Sequence, residues 1–112
     1  MPEKKPEQKL SLGTVLILHA LARGLSYGFD IMEETGLASG TVYPVLEKLE
    51  RFGFVTSRWE DPGIAQREKR PPRRYYEITR DGWSALAVAL EKHRSLAPVK
   101  FPRLSGQSLN GR

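Results

Sequence analysis

The sequence predicts a mainly α-helical fold with one small β-hairpin, on the basis of three successive patterns. Residues 26–54 contain a short amphipathic helix, a turn at Thr35-Gly36-Leu37 and a second helix, which is the order of a helix-turn-helix. A segment rich in Arg and Pro follows, and the strand-like RRYYEIT comes after it. Together these patterns indicate a winged helix-turn-helix with three helices, a two-stranded wing and a C-terminal helix.

The length of 112 residues suits a single hydrophobic core. We expect a flexible arm at residues 1–9, because this stretch has two prolines and several charges without periodicity. Residues 10–97 should form the winged domain with a C-terminal dimerisation helix. Pro98 should stop that helix, and residues 98–112 read as a flexible tail.

Composition excludes several kinds of chemistry. The chain has no cysteine, which rules out disulfides, thiolate zinc sites and cysteine catalysis. His19 and His93 have no acidic or cysteine neighbours at ligand spacing, so we predict no metal site and no cofactor. No nucleophile elbow, phosphate-binding glycine loop or catalytic triad is visible. We therefore expect that the protein is not an enzyme.

The charge and the hydropathy pattern bear on partners and location. The net charge of +5 suits a polyanionic partner, although plain solubility would explain it as well. No run approaches the ~18 apolar residues of a membrane span, and the N-terminus is polar. We expect a cytoplasmic protein without membrane contact.

The first two helices follow from apolar spacing and helix punctuation. The segment 10–23 is apolar nearly all round, so it must be covered on more than one face, and Gly24 closes it. In the next helix Ser26 is a good N-cap. Phe29, Ile31 and Met32 are expected to face inward there.

The third helix should begin at Ser39 as its N-cap. Its buried stripe at i, i+3, i+4 and i+7 consists of Val42, Val45, Leu46 and Leu49. Pro44 would delete the backbone hydrogen bond to Gly40 and crowd that carbonyl. We therefore predict a bent or loosened first turn.

The wing and the last helix complete the fold. Residues 54–59 alternate as a half-buried strand, 64–72 are too polar and Pro-rich for a core element, and 73–79 resume the extended pattern. Thr79 can cap the last helix. Two apolar stripes are expected on this helix. The first consists of Trp83, Leu86, Ala87 and Leu90, and the second consists of Ala85, Val88, Ala89 and Leu96.

The exposed side of the third helix carries donors of the kind that contact phosphates or base edges. A solvated face with a Glu47–Arg51 pair is the alternative, and Tyr43 with Pro44 could simply pack locally. The surrounding helix-turn-helix and wing favour DNA contact. The predicted contact residues here are Ser39, Gly40, Thr41, Tyr43, Pro44, Lys48 and Arg51.

The wing carries five cations within eight residues against one acid, Glu68, and two prolines stiffen it. Such a segment suits a phosphate clamp or a minor-groove finger, although a basic loop is often only solvated. Its position on a wing favours the DNA interpretation. The predicted contact residues are Arg67, Lys69, Arg70, Arg73 and Arg74.

The helices have more apolar residues than one core face needs, which favours a homodimer. Trp83 and Trp59 are large enough to line a ligand pocket between subunits, but such aromatics are more often ordinary core. The residues predicted at the dimer interface are Leu12, Val15, Leu16, Trp83, Leu86 and Leu90.

Residues 12–90 resemble the PadR-type transcriptional regulators, a family of small winged-helix proteins named for a phenolic-acid-responsive repressor. The resemblance rests on YGFDI at 27–31, SGTVYPVLEKLE at 39–50, Gly53, and RYYEIT at 74–79 with Gly82. It implies that the third helix reads DNA, that the wing meets phosphates, and that helices at the chain ends form a two-fold dimer able to bind a small effector. The chain departs from the family in its long wing tip and in the single short helix after it.

The expected function is that of a homodimeric regulator, a repressor, that binds a pseudo-palindromic operator on double-stranded DNA. Two alternatives stay open. The wing and the nearly neutral third helix could bind an acidic protein instead, as a winged-helix interaction module. The dimer could also bind a small molecule, with a secondary role for DNA.

Overall fold

The computed structural model describes residues 10–94, which form five α-helices and a two-stranded antiparallel sheet. The predicted mainly helical fold with a hairpin is confirmed. The expected arm at 1–9, the tail at 98–112 and Leu96 lie outside the described residues. In chain order the elements are α1 (Leu12–Ala22), α2 (Gly28–Thr35), α3 (Ser39–Arg51), β1 (Val55–Trp59), α4 (Pro62–Arg67), β2 (Arg74–Ile78) and α5 (Arg80–Arg94).

Helix α1 is the centre of the core. Ser11 caps its N-terminus, where the Ser11 hydroxyl accepts a hydrogen bond from the Thr14 backbone N–H at 3.2 Å. Val15, Ile17 and Leu18 are fully buried, since α1 contacts α2, α3, α5 and β2. This arrangement confirms that α1 is covered on more than one face.

The turn between α2 and α3 is formed as predicted. Gly36 ends α2 with φ at 78°, and its N–H donates to the Met32 carbonyl at 2.8 Å. The Thr35 hydroxyl then accepts from the Leu37 N–H at 3.2 Å. Left-handed φ values are strained for residues with a Cβ, so glycine is required at this position.

The predicted caps of these two helices are wrong. Tyr27 caps α2 and Ala38 caps α3, and within the described chain neither makes a side-chain cap hydrogen bond. Ser26 lies outside the helix because its carbonyl accepts from the Tyr76 N–H at 2.8 Å, which draws it toward the sheet. Phe29 is 51% exposed, contrary to the prediction that it faces inward. It lies two positions before the buried Ile31, and residues two positions apart in a helix do not share a face.

Helix α3 buries the predicted stripe. Val42, Leu46 and Leu49 have no exposed surface. The first turn is not loosened, because the N–H groups of Thr41 and Val42 both donate to the Ala38 carbonyl at 2.9 Å. Helix α3 runs without a break from Ser39 to Arg51, with Pro44 inside it and exposed.

The wing is the predicted hairpin with one unexpected element. Strands β1 and β2 pair with Val55 opposite Ile78 and Trp59 opposite Arg74, and Tyr27 forms an isolated bridge with Tyr75. The prediction that residues 64–72 hold no core element is wrong. Helix α4 lies in the wing tip, and Ala65 on it is 1% exposed.

Helix α5 begins after Thr79, whose hydroxyl accepts from the Gly82 N–H at 3.0 Å, as predicted. Leu86 is fully buried and Ala89 is 7% exposed. The predicted grouping of stripes is wrong, because the buried Leu86 and Ala89 belong to different predicted stripes, while Trp83 is 44% exposed and Val88 is 58% exposed. A single stripe of α5 packs on α1 and β2, and the opposite side remains on the surface of the protomer.

Candidate nucleic-acid interface

The predicted contact residues of α3 all remain accessible on the protomer. Lys48 is half-buried, and the others, which are Ser39, Gly40, Thr41, Tyr43, Pro44 and Arg51, are exposed. Tyr43 also has a packing role, which is against α2. Its ring covers Gly28 so closely that a Cβ there would lie 2.6 Å from ring atoms, so Tyr43 seats α3 against the first turn of α2.

The five predicted cations of the wing fall into two groups. Arg67 and Lys69 are exposed at the tip, next to α4. Arg70, Arg73 and Arg74 are half-buried and have partners within the protein. The structure therefore separates cations that face solvent from cations that brace the wing.

Arg70 is committed to an internal ion pair. Its guanidinium donates to both carboxylate oxygens of Glu60, at 2.7 and 2.9 Å, and Glu60 also accepts from the Arg73 backbone N–H at 3.1 Å. The hydrogen bond from Arg70 lowers the pKa of Glu60 to about 2 and, in return, raises the pKa of Arg70. Because Glu60 is only 6% exposed, Arg70 neutralises a buried carboxylate, and its predicted contact with DNA would compete with this ion pair.

Arg73 lies on an aromatic surface that the sequence did not reveal. Its guanidinium is 4.2 Å from the centroid of the Tyr27 ring. Tyr27 in turn neighbours Tyr75 at 6.0 Å and Phe29 at 6.4 Å, and Arg58 lies 5.3 Å from the Tyr75 centroid. These contacts join the start of α2 to the outer face of the wing, where arginines are held by stacking on aromatic rings.

Arg74 lies on the other face of the wing, next to α3. It donates to the Ser57 hydroxyl at 2.8 Å, and Ser57 donates to the Glu50 carboxylate at 2.7 Å. The second Glu50 oxygen is 4.0 Å from Arg74, and the Trp59 ring centroid is 4.9 Å from it. We call Glu50, Ser57, Trp59 and Arg74 the Arg74 network. It connects the last turn of α3 to both strands of the wing.

Only part of the predicted dimer surface is available for contact. Leu12 is 39% exposed and Trp83 is 44% exposed, while Leu16 and Leu90 are half-buried. Val15 and Leu86 have no exposed surface, so both belong to the core of the protomer. Their prediction as interface residues is corrected, because a side chain already enclosed within one chain cannot touch another.

An open cavity of about 450 Å³ lies between the outer face of the wing, the end of α1 and the start of α5. Trp83, Tyr75 and Arg58 are among its lining residues, whereas Trp59 is not. Among residues 10–94, no group of His, Asp or Glu is placed to hold a metal ion. No helix in the same part of the chain is long and apolar enough to cross a membrane.

Comparison with known proteins identifies the family. The model of the transcriptional regulator PadR-like family matches residues 17–88. No curated protein matches the chain. Similar solved structures include a PadR-like transcription factor from Bacteroides fragilis, with 25% identity, a TM-score of 0.63, and coverage of 74% of this chain and 81% of the other. The smu.1704 protein of Streptococcus mutans is 30% identical with a TM-score of 0.61, over 84% and 85% of the two chains.

A third similar structure is BpsR of Bordetella bronchiseptica, whose DNA binding is regulated by 6-hydroxynicotinic acid. It is 20% identical with a TM-score of 0.66, and the match covers 81% of this chain and 61% of BpsR. At that identity the likeness concerns the fold alone. The family model, which spans more than half of the chain, decides the assignment, and the family consists of regulators and not of enzymes. The protein belongs to the PadR-like family of transcriptional regulators.

Proposed function

We propose that the protein is a cytoplasmic, homodimeric repressor that binds a pseudo-palindromic operator in double-stranded DNA. The observation that carries this proposal is the Arg74 network, because it joins the exposed side of α3 to the basic wing. The network therefore ties the last turn of α3 to both strands of the wing. A helix in the major groove with a hairpin on the neighbouring backbone needs such a fixed relation between the two elements.

Different parts of this surface have different expected contacts. Thr41 and Lys48 on α3 are proposed to reach base edges, where a hydroxyl or an ammonium can discriminate between base pairs. Arg67, Lys69, Arg73 and Arg74 on the wing are proposed to meet phosphates, which give affinity without sequence preference.

Pairing of two protomers would place two α3 helices in successive major grooves. Two-fold symmetry then requires half-sites one helical turn apart, at ~34 to 36 Å. The exposed apolar residues Leu12 and Trp83 support a partner surface formed by α1 and α5. Repression is proposed because the family that the chain resembles is named for a repressor.

The test is selection of bound sequences from random duplex DNA, followed by affinity measurements on the selected site and on a scrambled duplex. Thr41→Ala and Lys48→Ala should weaken the selected site more than the scrambled one. Arg73→Ala should weaken both alike and flatten the dependence of log affinity on log salt by ~1 unit. Binding that does not depend on salt, or no enrichment of any sequence, would refute the proposal.

A second candidate function is small-molecule binding with a secondary role for DNA. The cavity beside Trp83 favours it, because aromatic walls and a volume of about 450 Å³ suit a small planar ligand. Titration of Trp83 fluorescence with aromatic and cationic compounds tests this candidate. An unchanged emission across such compounds counts against it.

A further inference from the structure

The Arg74 network contains a charged pair whose direct attraction is weak. The side chains of Arg74 and Glu50 are 38% and 37% exposed, and their closest N···O separation is 4.0 Å. Exposed pairs at this distance contribute little by Coulomb attraction alone. The geometry is instead set by Ser57, which lies between them with hydrogen bonds of 2.7 and 2.8 Å.

The arrangement restrains Arg74 without using up its donors. A guanidinium has five N–H groups, and the contact to Ser57 is made by one terminal nitrogen, Nη2. Stacking on Trp59 restrains the plane of the guanidinium as well. The remaining N–H groups of Arg74 can therefore donate to a phosphate. Because the side chain is already restrained in the free protein, it loses less conformational entropy on binding than a mobile arginine would.

We propose that Glu50, acting through Ser57, is a positioning residue that fixes Arg74 relative to α3. The phosphate contact of the wing and the base contacts of the helix then fall in one register on the duplex. This inference rests on the proposed DNA-binding function. It gives Glu50 and Ser57 a role in DNA binding although neither is expected to touch DNA. Glu50 is an acid, and Ser57 lies on the inner face of β1.

The first test is a double-mutant cycle on the selected duplex, measured by fluorescence anisotropy over a range of salt. Ser57→Ala changes no charge and should weaken binding about three- to tenfold, which corresponds to the loss of one hydrogen bond. Its salt slope should stay unchanged because the cation is still present. Arg74→Ala should lower the slope by ~1 unit. Adding Ser57→Ala to Arg74→Ala should have no further effect.

Thr56→Ala is the matched control for Ser57. Thr56 is the preceding residue of β1 and points to the opposite, exposed face of the hairpin. It should leave DNA affinity unchanged, and thermal unfolding followed by circular dichroism should show that every variant is folded. Wild-type affinity in Ser57→Ala, or additive losses in the double variant, would overturn the proposal.

The second test separates positioning from simple repulsion of DNA by an acid. Glu50→Gln keeps the size and the acceptor oxygen but removes the charge, and Glu47→Gln on the same helix is its control. Glu47→Gln should strengthen binding by the same factor with or without Arg74. Glu50→Gln should strengthen binding less when Arg74 is present than in the Arg74→Ala background. A larger gain in the presence of Arg74 would mean that Glu50 inhibits, and it would overturn the proposal.

Failure of the inference and failure of the proposed function give different results. If the wild-type protein binds no duplex, or binds without dependence on salt, both are refuted. If the wild type binds and Arg74→Ala lowers the salt slope while Ser57→Ala has no effect, DNA binding stands and the positioning role is refuted.

Discussion

Gly82→Ala should destabilise the fold strongly, although alanine is normally the better helix residue. A Cβ at position 82 would lie 2.1 Å from the Phe54 carbonyl oxygen and 2.7 Å from Cγ1 of Ile78. Protein Cβ atoms essentially never approach other atoms closer than 3.0 Å, so the carbonyl must move by about 0.9 Å. That carbonyl accepts a hydrogen bond from the Thr79 N–H at 2.9 Å, where the wing joins α5.

The magnitude follows from three terms. Overpacking costs about 1–3 kcal/mol, and weakening the Thr79 hydrogen bond costs about 1 kcal/mol. The higher helix propensity of alanine offsets at most about 1 kcal/mol of this cost. The net loss in free energy of unfolding is therefore about 1–3 kcal/mol, or on the order of 5–20 °C in Tm for a domain of this size.

Urea denaturation at one fixed protomer concentration measures this loss, because a dimer's stability depends on concentration. Fluorescence of the adjacent Trp83 and far-ultraviolet circular dichroism should report the same transition if unfolding is two-state. A Gly82→Ala protein as stable as the wild type would show that the backbone of Phe54 yields easily, and would refute the reasoning.

Three further predictions concern other parts of the chain. Gly40→Ala should raise the free energy of unfolding by about 0.4–1 kcal/mol, because a Cβ at this position meets nothing within 4 Å. Urea denaturation measures this change, and a lower free energy of unfolding would contradict the helical geometry of α3. Lys69 has φ at 59°, so Lys69→Gly should be more stable than Lys69→Ala by about 1 kcal/mol in the same assay. The pKa of Glu60 is lowered from 4.5 to about 2, so its ionised form stabilises the fold above pH 4.5, and this contribution is lost as pH falls through about 2. The stability difference between wild type and Glu60→Gln should accordingly shrink between pH 4.5 and pH 2, and a constant difference would disprove the linkage.

The helices were predictable because their apolar spacing is a local property of the sequence. The stripe of Val42, Leu46 and Leu49 repeats at the helical period, and tertiary contacts only had to agree with it. The cap at Ser26 could not be predicted in the same way. A serine before a helix is a favourable cap, but the edge of the sheet engages its backbone instead, and no local rule contains that competition.

Helix α4 was missed although its start has a readable signature. Asp61 accepts a hydrogen bond from the Gly63 N–H at 3.1 Å, and Pro62 follows it at the first helical position. The polar composition of residues 64–72 outweighed that signal in the sequence interpretation. A six-residue helix with a single buried alanine is too short for periodicity to reveal it.

The sequence predicts which residues of the candidate site are accessible or charged, but not which partners they have within the protein. Positive charge in the wing is visible in the sequence, and so is the exposed side of α3. Which cation is engaged internally depends on partners distant in sequence, such as Glu60 for Arg70 and Glu50 for Arg74. Such pairings arise only when the hairpin closes and meets the end of α3.

The hairpin is closed beyond its last strand pair by mutual hydrogen bonds between Glu60 and Arg73. The Glu60 N–H donates to the Arg73 carbonyl at 2.7 Å, and the Glu60 carboxylate accepts from the Arg73 N–H. Residues 61–72 therefore leave the hairpin from a closed base, to which Arg70 is tied by its ion pair with Glu60. A change of loop length that spares Glu60, Arg70 and Arg73 should alter the extent of the tip while the strand ladder keeps its register.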